Sequence, residues 1–212
     1  MRACVRACVR VCVCVCVCLC VSVCLRERVG VICLLFDVCY FTVPFYVAAG
    51  VNQQDGVQTL TSRLPNHFPV NATAIHTTRD VFLNDVIPAF LSTTSRLQSK
   101  TLEFLYTDYV PPNHRPNTYY HASESFVSDV VFKCDVIKFA QAYYVKSDVY
   151  MYSFQNRLST EVLPAWSDGA VHYAEVELLF GVPFRSSHRY SQQEMILSNK
   201  MMELWTNFAK FG

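Results

Sequence analysis

The sequence predicts an α/β fold, in which helices cover a mostly parallel β-sheet. Apolar residues make up 52% of the 212 residues and aromatic residues 14%, a composition that favours a large buried core over disorder. After the first 40 residues, β-branched and aromatic runs alternate with segments in which apolar residues recur every three or four positions. This alternation is typical of a parallel sheet with helices on both faces.

The charge pattern excludes one class of partner. The chain has 18 Lys and Arg against 17 Asp and Glu, scattered along its length, and its formal net charge is +1. Because no basic face is available to neutralise a phosphate backbone, we expect no nucleic acid partner. The sequence also predicts no cofactor and no metal site, since the cysteine-rich N-terminus fits no zinc-ligand spacing.

The first 40 residues differ sharply from the rest of the chain. Ten of the 11 cysteines fall there, many of them alternating with valine. A DNA tract of alternating T and G encodes this alternation, so we favour a translated nucleotide repeat over residues 1–30. Two alternatives stay open: a secretory signal or signal anchor, with three arginines before the apolar run Val11–Leu25, and a functional cysteine cluster. We expect residues 1–40 to lie outside the fold and residues 1–30 to lack stable packing against it.

The predicted domain covers residues 41–212 and opens with a strand. Phe45–Ala49 reads as a buried strand that ends at Gly50, with a loop after it. Asn71 begins an Asn-Ala-Thr glycosylation acceptor sequence in an irregular stretch. Helical spacing then predicts helix between Asp80 and Tyr109, with inward-facing apolar residues that include Leu97, Leu102 and Leu105.

Three further elements follow the prolines at positions 111, 112 and 116. A helix is predicted over about Phe126–Tyr144 and a strand over Val149–Phe154. Ser191 and Glu194 form a capping box at the start of the last helix. The predicted apolar stripes are Val130, Cys134, Ile137 and Ala140 on the first of these helices, and Leu197, Met201, Leu204 and Phe208 on the last.

Three ordered motifs carry a family resemblance. They are Trp166–His172 (WSDGAVH), Glu175–Phe184 (EVELLFGVPF) and Leu204–Lys210 (LWTNFAK). Together they resemble the C-terminal third of the type-B carboxylesterases, the family of cholinesterases, bile-salt-activated lipase and neuroligins. The resemblance runs from about Val43 to Gly212 and implies the C-terminal portion of an α/β-hydrolase fold, incomplete by itself. We therefore expect it to expose an unpaired sheet edge.

The resemblance implies two members of a catalytic triad. Asp55, which precedes Gly56 in the loop after the first strand, corresponds to the triad acid, and His172 corresponds to the histidine. Their order in the chain agrees with the order Ser, Asp or Glu, His of these enzymes. The nucleophile is missing, because none of the six glycines belongs to a Gly-x-Ser-x-Gly elbow. We expect Asp55 and His172 to meet at the carboxyl ends of neighbouring strands.

Two residues depart from the family pattern. Tyr173 follows His172 where the family has a small residue, and its ring either crowds the site or points outward. Cys134 matches a family cysteine whose disulfide partner lies further along the chain than Gly212, so we expect a buried free thiol there.

The resemblance implies a carboxylic-ester hydrolase that is inactive as this chain alone. In a full-length parent, the substrate would be a carboxylic ester. The alternative is a neuroligin-like adhesion module, which would bind a protein partner and turn over no ester; fold does not decide between the two. Either function implies a secreted or extracellular, membrane-attached protein, in which Asn71 would be a glycosylation site.

Overall fold

The structure is a computed structural model that describes residues 46–108, 117–145, 147–160 and 164–212, together with the main chain of residues 11–14. Three parallel strands form its sheet: β1 (Val11–Cys14), β2 (Tyr46–Asn52) and β3 (Val149–Phe154), in that order. The register of β2 and β3 runs from Val47 opposite Val149 to Asn52 opposite Phe154. A small parallel sheet with helices packed on it confirms the predicted α/β class.

Helices make up most of the described chain. In chain order they are α1 (Val57–Arg63), α2 (Arg79–Val81), α3 (Ile87–Phe90), α4 (Arg96–Thr107), α5 (Thr118–Ser128), α6 (Cys134–Tyr143), α7 (Ala174–Leu179), α8 (Val182–Arg185) and α9 (Gln192–Phe211). A π-helical segment, Phe82–Val86, joins α2 to α3, and a second, Asp129–Lys133, joins α5 to α6.

Strand β2 is longer than predicted, because Gly50 lies within it. The residue pairs with Tyr152 of β3, and a Cβ atom added to it would lie 2.1 Å from a ring carbon of Tyr152. Glycine is required here for close approach of the ring to the main chain, and the strand continues to Asn52. Strand β3 has the predicted bounds and, among the described residues, pairs with β2 alone.

The helical stretch between Asp80 and Tyr109 is interrupted. Leu91 is extended, with φ −124° and ψ 102°, and Ser95 starts a new helix through a capping box with Gln98. The prediction of one inward face was wrong for Leu97 and Leu105, whose side chains are exposed. The new cap resets the helix direction, so spacing counted across the break does not describe one face.

The π-helical segment between α5 and α6 explains a second error. Each π turn takes up extra residues, so a face counted at 3.6 residues per turn shifts after it. Val130 packs on the core and Ala140 is buried, but Ile137 and Cys134 are exposed. The expected buried thiol at Cys134 was therefore wrong: Cys134 carries a free but exposed thiol.

The last helix, α9, begins at the predicted capping box of Ser191 and Glu194. Met201 is buried and Leu197 packs beside it. Leu204 is exposed, against prediction, and the neighbouring Trp205 contributes the apolar side chain instead. Its ring meets that of Tyr152 edge-on at 4.9 Å, so the large aromatic residue and not the leucine anchors the helix on the sheet.

In the part of the chain that the structure describes, the buried apolar residues form three clusters. The largest lies among α1 to α5 and includes Leu60, Phe82 and Phe126. A second, with Phe154 and Leu178, joins the end of β3 to α7 and α9, and a third places α6 on Val47 and Ala49 of β2. None of the helices in the described ranges has both the length and the apolar composition needed to cross a membrane.

Strand β1 comes from the Val/Cys repeat and pairs with Tyr46–Ala49. Alternating Val and Cys has strand propensity, so main-chain pairing by itself does not establish a folded role for the repeat. Residues 1–10 and 15–45 lie outside the described residues. The expectation that residues 1–30 lack stable packing, and the boundary at residue 40, stay predictions.

Candidate active site

Asp55 lies just beyond the carboxyl end of β2 and is buried, with 4% of its surface exposed. Its Oδ2 atom accepts a hydrogen bond of 2.8 Å from the main-chain N–H of Asn52, the last residue of the strand. The carboxylate is thereby turned back onto its own strand. A charge-assisted hydrogen bond of this kind fixes the direction of the second oxygen, Oδ1.

His172 is brought to Asp55 by a second parallel pairing. Val171, the residue before it, forms an isolated parallel bridge with Gln54, the residue before Asp55. The Nδ1 atom of His172 lies 3.0 Å from Oδ1 of Asp55. The predicted approach of these two side chains is confirmed, with the difference that His172 follows this single bridge and not a full strand.

The contact is shielded from water. The side chains of Asp55 and His172 are 5% and 14% exposed, and the Phe132 ring lies 4.5 Å from the imidazole, measured between centroids. A carboxylate can only accept a hydrogen bond, so the neutral imidazole carries its proton on Nδ1. The lone pair is then on Nε2, which is the arrangement that a general base of a triad requires.

Asn52 joins the two segments that carry the pair. Its Nδ2 atom donates to the main-chain oxygen of Val171 at 2.7 Å and to Oε2 of Glu175 at 2.5 Å. Burial raises the pKa of Glu175, while the bond from Asn52 favours the ionised carboxylate. We had not predicted either role; the available signal was a polar residue at the end of an apolar strand, three positions before the candidate acid.

A buried carboxyl group lies on the other side of the acid loop. Glu124 accepts a short hydrogen bond from the Ser128 hydroxyl, and Ser128 Oγ accepts the N–H of Gly56 at 2.7 Å. Burial raises the pKa of Glu124 to about 7, against the opposing effects of Ser128 and Lys133. A Cβ atom at position 56 would lie 2.7 Å from the main-chain nitrogen of Ser128, so this approach requires glycine.

Tyr173 has a left-handed main chain, with φ 71°. This conformation costs an L-residue roughly 1–2 kcal/mol and costs glycine little. The side chain is 40% exposed, and its ring centroid lies 4.3 Å from that of His172. Tyr173 therefore neither points fully outward nor is buried in the site, and its backbone gives a physical reason why glycine suits this position.

Sequence comparison decides the family. A model of the family described as "Carboxylesterase family" matches residues 42–212, which include both Asp55 and His172. The chain belongs to the carboxylesterase family. The type-B carboxylesterase resemblance of the three motifs is thereby confirmed.

Curated relatives of this carboxylesterase chain include cholinesterases. Acetylcholinesterase of Bungarus fasciatus is 32% identical over 167 residues, which cover 78% of this chain and 27% of the relative. Cholinesterase of Mus musculus is 28% identical over 167 residues, with the same coverage. Acetylcholinesterase 1 of Caenorhabditis elegans is 30% identical over 172 residues, covering 77% of this chain and 27% of the relative. The chain spans about a quarter of the length of these carboxylesterase relatives.

Two further observations bear on the chemistry. The amino-acid sequence contains no Gly-x-Ser-x-Gly elbow around any of its six glycines. Within the ranges that the structure describes, no three His, Cys, Asp or Glu side chains are grouped as metal ligands would be.

Proposed function

We propose that this chain is the acid and histidine portion of a carboxylic-ester hydrolase of cholinesterase type. The observation that carries the proposal is the shielded hydrogen bond between His172 Nδ1 and Asp55 Oδ1, at 3.0 Å. A structural hydrogen bond needs neither a histidine nor shielding on both sides, whereas a general base needs a fixed tautomer and a nearby negative charge. Membership of the carboxylesterase family supports the same proposal.

In a full-length parent, His172 would act through Nε2. It would take the proton of a serine hydroxyl as the serine oxygen attacks the ester carbonyl, and return that proton to the departing alcohol. Water would then attack the acyl-enzyme and give its proton to Nε2. The imidazolium would pass that proton to the serine oxygen as the acyl bond breaks, which releases the carboxylic acid and restores the serine hydroxyl and the neutral imidazole. Asp55 would remain ionised throughout and stabilise the imidazolium, because it lies against Nδ1.

The chain alone is expected to be inactive. Removing the serine from such a triad costs several orders of magnitude in rate, and the remaining catalysis depends on an oxyanion hole. We identify neither an elbow serine nor a glycine-rich oxyanion loop in the 212 residues. The first test measures turnover of a chromogenic ester by the purified chain, with His172→Ala as the control. The same two proteins are also treated with a fluorophosphonate, which labels activated serines.

Equal background rates for the chain and His172→Ala, without labelling, are expected. Turnover that His172→Ala abolishes, together with a labelled serine, would show that the chain contains its own nucleophile. The second test places residues 42–212 in the matching part of the Bungarus fasciatus acetylcholinesterase. A competent pair gives ester hydrolysis that Asp55→Asn and His172→Ala each reduce by about 10³-fold or more.

The acid and histidine pair favours this proposal over a neuroligin-like adhesion module. Adhesion requires a surface for a protein partner and has no use for a shielded base. Recovery of the genomic sequence upstream of this chain is the discriminating observation: an intact serine elbow supports a hydrolase, and a replaced serine supports adhesion.

We propose in addition that Asn71 is glycosylated and that the protein is secreted or held at the cell surface. Asn71 and Thr73 of the acceptor sequence are both exposed, as the glycosylating enzyme requires. Expression in a secreting cell, followed by enzymatic glycan removal, is expected to lower the apparent mass of the wild type. An Asn71→Gln variant with the same initial mass as the wild type would contradict this.

A further inference from the structure

Gln54 lies between the segment that carries the acid and the segment that carries the histidine. It directly precedes Asp55, and only 3% of its surface is exposed. Its main-chain N–H donates to the oxygen of Ala170 at 2.8 Å, and its bridge partner is Val171. The backbone of Gln54, two residues beyond the end of β2, thus pairs in parallel with the segment that carries the histidine.

The side chain of Gln54 binds three consecutive residues of the histidine segment. Its Oε1 atom accepts from Ser167 Oγ at 2.8 Å and from the N–H of Gly169 at 2.9 Å. Its Nε2 atom donates to Oδ1 of Asp168 at 2.5 Å. The orientation of the amide is determined chemically, because a main-chain N–H can only donate and a carboxylate can only accept.

Glutamine fits this position better than its nearest relatives. Glutamate would place one carboxylate against that of Asp168, and methionine would leave the buried donors Ser167 and Gly169 without an acceptor. The contact is also close: a Cβ atom on Gly169 would lie 2.8 Å from Cγ of Gln54. Residues 167–169 therefore pack against the Gln54 side chain, and the last of them, Gly169, lies three positions before His172.

We propose that Gln54 is a positioning residue, which sets the contact between Asp55 and His172 by holding residues 167–169 against the acid loop. Its significance for catalysis rests on the proposed ester hydrolysis, but its effect on the contact can be measured on this chain. Asp55 is covalently adjacent to Gln54, and His172 is reached through the short segment that the amide holds. A displaced segment would lengthen the distance from Nδ1 to Oδ1 while leaving both residues present.

The experiment measures the tautomer of His172 by its imidazole ¹⁵N chemical shifts, at a pH where the ring is neutral. In the wild type, the Nδ1–H tautomer should dominate, and Asp55→Asn should lower the ratio of Nδ1–H to Nε2–H about tenfold, the effect of losing one hydrogen bond to a charged group. Gln54→Met should lower this ratio to a similar degree. Gln141→Met, the same chemical change at an exposed position of α6, is the matched control and should leave it unchanged.

A charge-neutral exchange separates positioning from folding. Gln54→Glu should lower the ratio of Nδ1–H to Nε2–H, because the new carboxylate lies against that of Asp168. The double variant Gln54→Glu with Asp168→Asn should restore the ratio. In that variant the amide introduced at position 168 donates to the new carboxylate. Restoration also keeps the proposal testable if Gln54→Met fails to fold. Ratios that are equal in the wild type, Gln54→Met and Gln54→Glu would overturn it.

The outcomes also distinguish the two proposals. If Asp55→Asn does not change the ratio in the otherwise unaltered chain, the Asp55 and His172 pair is not coupled and the proposed function fails. If Asp55→Asn lowers the ratio but Gln54→Glu and Gln54→Met do not, the pair stands and the role of Gln54 is rejected.

Discussion

The Nδ1 atom of His172 lies 3.0 Å from Oδ1 of Asp55, although 117 positions separate the two residues in the sequence. Parallel pairing explains the meeting, because the bridge between Gln54 and Val171 makes the next residue of each segment emerge in the same place. Both side chains are largely withdrawn from water. Salt therefore screens this pair less than it would screen a pair on the surface.

The first prediction concerns salt. Asp55 and His172 are shielded, whereas His67 and Asp85, 3.4 Å apart, have side chains 36% and 44% exposed. We expect 1 M salt to leave the tautomer ratio of His172 within about twofold of its low-salt value, because screening acts mainly on exposed charges. Asp85→Asn should not affect that ratio either. A ratio that falls about tenfold in salt would contradict the shielded arrangement.

The second prediction concerns the pH dependence of stability. Burial raises the pKa of Glu124 from an ordinary 4.5 to about 7. Below pH 4.5 the group is protonated in both folded and unfolded chains; as the pH rises from 4.5 to 7, the unfolded chain loses the proton first and folding becomes less favourable. Glu124→Gln removes this penalty, so above pH 7 it should be more stable than the wild type, by up to about 3 kcal/mol.

Urea unfolding at several pH values measures the difference between wild type and Glu124→Gln. Glutamine keeps an oxygen that can accept from Ser128, so the comparison isolates the charge. Glu203→Gln, on the exposed side of α9, is the matched control and should give a much smaller change with pH. Stability curves of wild type and Glu124→Gln that run parallel from pH 4.5 to 8 would show that Glu124 does not titrate as described.

A feature could be predicted from the sequence when the residues that determine it lie close together in the chain. Strand β3 and the capping box of α9 were predicted correctly, because their residues lie next to each other and act through local conformation. Asp55 and His172 were identified by family resemblance. Their contact depends on parallel pairing of distant segments, which the chain order only suggested.

The errors at Cys134 and Leu204 have different physical causes. Cys134 and Leu204 were assigned to buried faces by counting a uniform helical period, but the π-helical segment Asp129–Lys133 changes the count in one case, and Trp205 fills the available space in the other. The buried polar residues Gln54 and Glu124 were not predicted. Both are satisfied by partners whose positions only the fold determines.

The third prediction concerns strain beside the histidine. Tyr173 has φ 71°, so Tyr173→Gly should be more stable than Tyr173→Ala by about 1 kcal/mol, since both variants lose the ring but only alanine keeps the strained Cβ. Chemical unfolding of the two variants gives this difference directly. At Ser186, where φ is −135°, the same pair should show no advantage for glycine. Equal stabilities at position 173 would mean that the left-handed conformation is not strained.

The last prediction concerns the N-terminal repeat. A segment produced by a nucleotide repeat was not selected to match a face of the core, so deletion of residues 1–30 should change the free energy of unfolding of the remaining chain by less than about 0.5 kcal/mol, the range of substitutions that touch nothing important. The pairing of β1 with Tyr46–Ala49 makes this a demanding test, because the deletion also removes that strand.

Two measurements complete the test of the repeat. Hydrogen exchange at Val47 and Ala49 should be equally slow with and without residues 1–30 if β2 is held by β3 and α6. A loss of about 2 kcal/mol or more in the free energy of unfolding, together with faster exchange at these residues, would make β1 part of the domain and contradict the origin proposed for the repeat.

N-terminal sequencing of secreted protein tests the remaining alternative, a signal peptide. A new terminus after Leu25 would identify the segment as a signal peptide, and would place Asn71 in the compartment where glycosylation occurs.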